Sequence, residues 1–372
     1  MEILEVNAIH HWTARQFLHL PFRLYANVTQ WVPPLLHEAQ RMLDRRRNPF
    51  FRHGRAIFLL AIHDGQARGR LAVLINDLYN QYNRETTAFI YLFECENDLQ
   101  VAEALFAAGK DWAKSQGMSR LVGPKGFTVF DGIGLLTRGF EHRPAFGLPY
   151  NPPYYPELLE KVGFVREREL LSGYLDERIQ FPARIHEVAE LLKKRRGLHV
   201  ARYHNWQELR ALIPHLKQLY NNALSGTQGN APLTDEDVKG LADQMLWFAD
   251  PSLIKIVMKG DQPVGFLLAY PDVSAAVQRI RGQVFPLGWV ALWRELRRTR
   301  WININGAGMI EGYRGLGGTA LLFSEMYKTV VESRYRFADI VQVGVENVNM
   351  LREMRDLGID FYKEHCLYCC EL

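Results

Sequence analysis

The chain has 372 residues, 48% hydrophobic and 12% aromatic, which is enough for more than one buried core and suggests about two domains. Its 45 basic and 41 acidic residues leave a net charge of +4 scattered along the whole length, too mild a bias for a nucleic-acid partner. The start, MEILEVNAIHHWTARQF, lacks the basic, apolar and small-residue regions of a secretory signal, and no window approaches the roughly 18 apolar residues of a membrane span, so a cytoplasmic location is expected.

In chain order, IFLLAIHDGQARGRLAVLI (57–75) predicts two strands joined by an Asp-Gly turn. A strand over 87–93, a helix over 99–116 and a strand over 120–123 follow, and NPPYYPELLEKVGF from Asn151 predicts a short amphipathic helix leading into a strand. Near LDERIQFP (175–182) a strand pattern stops and a proline opens the next helix. LIKIVMKGDQPVGFLLAY (253–270) then repeats the hairpin, and NVNMLREMRDLGI from Asn347 repeats the asparagine, helix and strand. Gly69 and Gly265 lie 196 positions apart, as do Asn151 and Asn347. Two landmarks in the same order argue for a duplication, with domains at 1–178 and 179–372. The second half adds strands at 302–310 and 340–344 and helices at 317–332 and 347–357. The class expected is α/β, with a mixed sheet and packed helices in two copies.

The stretch YRGLGGTALLFSEM (313–326) places a basic residue and three glycines directly before a helix. Such a turn aims unpaired N–H groups and the positive end of the helix dipole at one point, where an anion fits. No Lys-Ser/Thr pair follows, which excludes a Walker loop. GLGGTA satisfies a dinucleotide fingerprint with Glu346 as its ribose acid, but only 26 residues follow Glu346, too few for the rest of that sheet. A turn that merely lets helix and sheet pack closely is another reading. The third takes RGLGGT as R-x-x-G-x-G/A, with Thr319 at the last position.

On that loop and on Asn347 with the following Leu-Gly-Ile, the chain resembles the GNAT superfamily of acyl-CoA-dependent N-acyltransferases. The hairpin extends the resemblance over the second half. The first half keeps the topology but has ECENDLQVAEALFAAG, without a glycine before its helix, and looks like a degenerate GNAT copy. The resemblance implies an acetyl-CoA or longer acyl-CoA co-substrate, with Arg314, Gly315, Gly317, Gly318, Thr319 and Asn347 binding it and the amides of Met309 and Ile310 meeting its arm and the developing oxyanion. It implies direct transfer to an amine, whose ammonium loses a proton to a carboxylate such as Glu311 or Glu346. The family's tyrosine acid, seven residues after the asparagine, is replaced by Met354, and Tyr362 is the nearby alternative. A scaffold that binds acyl-CoA without turnover is the competing class.

Between hairpin and loop, RGQVFPLGWVALWRELRRTRW (281–301) spaces Trp289, Leu292, Trp293 and Leu296 on one helical stripe among arginines. This suits peripheral contact of 285–300 with an anionic membrane or the wall of an acyl tunnel; a core helix with a basic outer face is the other reading. FPLGW, the basic helix and YRG resemble tandem GNAT proteins of bacteria, a group similar to the bacterial ceramide synthases, which would make the acceptor a lipid amine rather than another small-molecule amine. HCLYCCEL at the C-terminus reads as a strand with small apolar cysteines, and no second ligand pair stands at metal-site spacing, so no metal is expected.

Overall fold

The computed structural model describes residues 1–7, 11–128, 131–203, 205–223, 231–245 and 249–372. The chain begins with β1 (Glu2–Glu5), α1 (Trp12–Leu24) and α2 (Leu36–Leu43). Next come the hairpin β2 (Gly54–His63) and β3 (Gln66–Asn76), α3 (Asp77–Asn83), β4 (Thr87–Cys95), α4 (Leu99–Ser115), β5 (Arg120–Gly123), β6 (Leu135–Arg138) and α5 (Tyr155–Lys161). β7 (Val165–Asp176) leads to α6 (Ala183–Arg196), β8 (Leu198–Ala201), α7 (Trp206–Ala223) and α8 (Asp235–Met245). A second hairpin, β9 (Ile254–Lys259) and β10 (Gln262–Pro271), precedes α9 (Ser274–Arg279) and α10 (Gly288–Arg298). The chain closes with β11 (Trp301–Met309), α11 (Gly318–Glu332), β12 (Phe337–Gly344), α12 (Val348–Asp356) and β13 (Asp360–Glu371).

These elements form two units, Met1–Leu171 with Ser274–Trp293 and Tyr362–Leu372, and Ser172–Val273 with Arg294–Phe361. In the first, the sheet runs β1-β2-β3-β4-β5 and is completed by the end of β13, where Tyr368 to Glu371 pair with Gly123 to Arg120. Its pairs are antiparallel except β4 with β5. In the second, the order is β8-β9-β10-β11-β12, with only β11 and β12 parallel.

The hairpin turns follow from their residues. Asp64 and Gly65 adopt φ of 50° and 72°, values that aspartate tolerates and glycine reaches without strain. Both hairpins carry a bulge just after the turn, at Arg68 and at Val264, and the next residue is glycine in each. A Cβ on Gly69 would strike Leu105 and Val101 at 2.7 and 2.8 Å, and one on Gly265 would strike Met309. Helix or side chain thus lies too close to the strand for any larger residue.

Burial accounts for the sequence patterns. Val264 to Pro271 are buried without a break, because α6, α11 and α12 cover one face of the second sheet and α7 the other. A strand covered on both faces reads as a continuous apolar run instead of alternating. α11 turns Leu321, Leu322, Phe323 and Met326 onto that sheet, each such side chain contributing about 1.5–3 kcal/mol when fully buried. In β13, Cys366 and Cys370 are buried as small apolar residues and Cys369 is half-buried.

Candidate functional site

In the second unit β11 and β12 pair in parallel from Trp301 and Phe337 to Ile304 and Ile340, yet β11 continues to Met309 and β12 to Gly344. Just past the last pair, Asn305 and Gly306 together oppose Leu268 of β10, a bulge in which Gly306 takes φ of 105°. An extra residue bends and twists a strand away from its neighbour. The strands therefore part toward their C-terminal ends and open a wedge in the sheet.

The glycine turn closes the end of β11. A short 3₁₀ turn, Glu311–Tyr313, leads through Arg314 to Gly315 and Gly317, which stand at φ of 69° and 88°. Gly317 is the N-cap of α11 and supplies no side-chain acceptor to the first turn of that helix, so its amides face outward with the positive end of the dipole. Gly318 serves packing, since a Cβ there would meet Met309 Cε at 2.5 Å. Gly315 serves the turn alone, with nothing within 4 Å of its Cβ position. Arg314 braces the loop: its Nε donates to the Met309 carbonyl at 3.1 Å and its Nη2 to the Ala223 carbonyl, at the end of α7, at 3.0 Å.

Of the two amides expected to face the ligand, one is engaged elsewhere. The Ile310 N–H donates to the Val264 carbonyl at 3.0 Å, which corrects its expected role. Because N–H directions alternate along a strand, the Met309 N–H points to the opposite edge, into the wedge. Asn347 accepts a hydrogen bond from the Met350 N–H at 3.3 Å, so its side chain caps α12. Glu311 is exposed on the 3₁₀ turn; Glu346 is exposed too, and its carboxylate folds back over Gly344 at the end of β12. Tyr362 belongs to the other unit, where its ring packs edge-on against His142 at 4.7 Å. Among the described residues no group of three or more His, Cys, Asp or Glu could hold a metal.

The same positions in the first unit are filled by the protein itself. β4 and β5 part after Phe89 and Val122, with a bulge at Leu92 and Phe93. Cys95, opposite Gly69 as Met309 is opposite Gly265, corresponds to Met309. The Glu96 N–H donates to the Arg68 carbonyl at 3.0 Å, the counterpart of the Ile310 bond, and the Cys95 N–H turns the other way and donates to the Tyr155 hydroxyl at 2.8 Å. Tyr155 in turn donates to Glu94 at 2.8 Å, as does Tyr25, and Arg70 lies 3.6 Å from the same carboxylate. Burial pushes the Glu94 carboxyl up, against the pull of Arg70 and the two hydroxyls. At the helix end, the Asp98 carboxylate accepts from the Gln100 N–H at 2.9 Å, so α4 carries its own anion.

No protein-family model matches the chain. It is similar to a tandem GNAT protein from the clavulanic acid biosynthesis pathway, at 13% identity and a TM-score of 0.58 over 100% of this chain and 98% of that one. The fold is a tandem GNAT fold. A GCN5-related N-acetyltransferase from Anabaena variabilis aligns at 10% identity and a TM-score of 0.52, over 99% of this chain and 72% of that one. In sequence, the chain is 24% identical to Protein YghO of Escherichia coli over 361 residues, 95% of this chain and 92% of the relative. It is 28% identical to a bacterial ceramide synthase of Caulobacter vibrioides over 290 residues, 75% and 73% of the two chains.

Two departures from the usual GNAT pattern have visible causes. Met354 is fully buried beneath the sheet, with its Cε 3.0 Å from where a Cβ on Gly173 would stand, so no acid is presented there. Thr319 at the loop's last position faces Glu353 of α12, whose carboxyl is raised by desolvation and pulled back by that hydroxyl. Glu353 was not legible beforehand, because a polar residue on an exposed helical face carries no spacing signal.

Proposed function

We propose that the second unit binds an acyl-CoA and passes its acyl group directly to an amine, the first unit having lost its own cofactor site. The GNAT fold supports acyl transfer in general. The observation that carries the reading is the contrast between the units: in the second the Met309 N–H lies on the edge of β11 turned away from β10 and α11 has a glycine cap, whereas in the first Tyr155 takes the matching amide and Asp98 caps the matching helix. Acyl-CoA supplies the activated thioester. The Met309 N–H stabilises negative charge arising on its carbonyl oxygen, and the first-turn amides of α11 hold its diphosphate. Arg314 fixes the Met309 carbonyl, and so braces the end of β11 from which the amide projects.

Glu346 is proposed as the base ahead of Glu311, because its carboxylate rests on the end of β12, one wall of the wedge. Similarity to a protein named bacterial ceramide synthase supports a lipid amine as acceptor. A thiol-release assay with acetyl-CoA and palmitoyl-CoA across short and long-chain amines tests both statements. CoA release with a long-chain amine supports both, and release only with short amines removes the lipid acceptor. Binding without release under every condition makes the chain an acyl-CoA-binding module, the reading favoured by Met354.

A further inference from the structure

Phe285, Leu287, Trp289 and Trp293 are four large apolar side chains within nine positions, and they are 74%, 73%, 46% and 49% exposed. Isolated exposed apolar residues are ordinary on protein surfaces; a run of this kind marks a contact. The turn before α10 presents Phe285 and Leu287, and the Phe285 ring touches only the edge of His37 at 6.5 Å among the ring contacts described. α10 then buries Leu292 and leaves Trp289 and Trp293, one turn apart, on the outside. The same helix exposes Arg294, Arg297 and Arg298, Arg281 is exposed just before the turn, and the stretch from 279 to 300 holds Glu295 as its single acid.

We propose that this turn and helix form a docking surface for an anionic phospholipid bilayer. Phenylalanine and leucine at the tip enter the acyl boundary, tryptophans lie at headgroup depth, and arginines meet lipid phosphates, the distribution that interfacial helices use. Charge decides among occupants: a second copy meeting this face across a two-fold axis would bring like charges together. No helix among the described residues is long and apolar enough to cross a membrane, so the contact is peripheral. The inference does not depend on acyl transfer, and its test involves no turnover.

The full chain is floated with vesicles of phosphatidylcholine alone and of phosphatidylcholine with about equal phosphatidylglycerol. It is expected to rise with the anionic vesicles, and Phe285→Ser with Leu287→Ser is expected to lower its partition at least tenfold. Arg294→Glu with Arg297→Glu, which keeps the apolar tip, is expected to do the same, so the outcome does not hang on one variant's folding. Failure of the wild-type chain to bind anionic vesicles overturns the proposal, as does undiminished binding by both variants. A dimer in solution that the tip variant splits, with no vesicle binding, assigns the surface to a second copy and overturns it too.

Discussion

The Tyr155 hydroxyl takes the Cys95 N–H at 2.8 Å, in the place where Met309 of the other unit turns its own amide into the wedge. One side chain of the first unit thus takes the amide at the end of its parted strand. Titration of the chain with CoA followed by native mass spectrometry is expected to give one bound CoA per chain; a second equivalent of similar affinity would show that the first unit also binds.

Gly317 is held at φ of 88° with Val188 and Leu192 both 3.1 Å from its Cβ position. Gly317→Ala should cost about 1–3 kcal/mol from the left-handed backbone and weaken CoA binding at least tenfold, read by calorimetry. Gly117→Ala is the control: φ is 77°, nothing lies within 4 Å, and the site is in the other unit. It should lose comparable stability and keep its CoA affinity.

Arg314 ties two carbonyls together, so Arg314→Ala is expected to lower stability by about 1–3 kcal/mol, the usual range for hydrogen bonds from a charged donor. If it also aims the Met309 amide, kcat/KM should fall more than stability explains. Lysine, which lacks the planar fork, should rescue stability in part and activity little.

For the base, Glu346→Gln should reduce kcat by about 10²–10⁴-fold and Glu311→Gln by little. The reverse pattern in steady-state kinetics would assign the proton transfer to Glu311.

His365 is buried, its Nε2–H donates to the Pro149 carbonyl at 3.3 Å, and burial pushes its pKa down to about 4 from 6.5. The folded chain keeps this ring neutral while the unfolded chain protonates it. Its contribution is therefore complete above pH 6.5 and is lost as pH falls toward 4, by up to about 3 kcal/mol. Urea unfolding of wild type and His365→Gln at pH 7 and pH 4.5 checks this, the variant showing the smaller decline.

Much of the frame was legible because it is local. The Asp64–Gly65 turn, the glycine turn before α11 and the asparagines at 151 and 347 are short-range signals, and the elements lie within a few residues of expectation. What was hidden depends on pairing. Which of Met309 and Ile310 turns its N–H away from β10 could not be read until the register with Val264 was known. Tyr155 read as part of an amphipathic helix, and its role exists only because that helix meets a parted strand. The stripe on α10 was visible, yet periodicity cannot say whether protein or solvent lies against it, and Leu292 and Trp293 fall on different sides of that question.

The pairing of residues 368–371 with β5 has a consequence for biosynthesis. Because Tyr368 to Glu371 form the strand that pairs with β5, the unit whose other strands are made first lacks this strand until residues 368–371 have left the ribosome. A nascent or prematurely terminated chain would carry the β5 edge bare, a surface that invites strand addition from a neighbour, so chaperone dependence during synthesis should exceed that of a protein whose halves finish in turn.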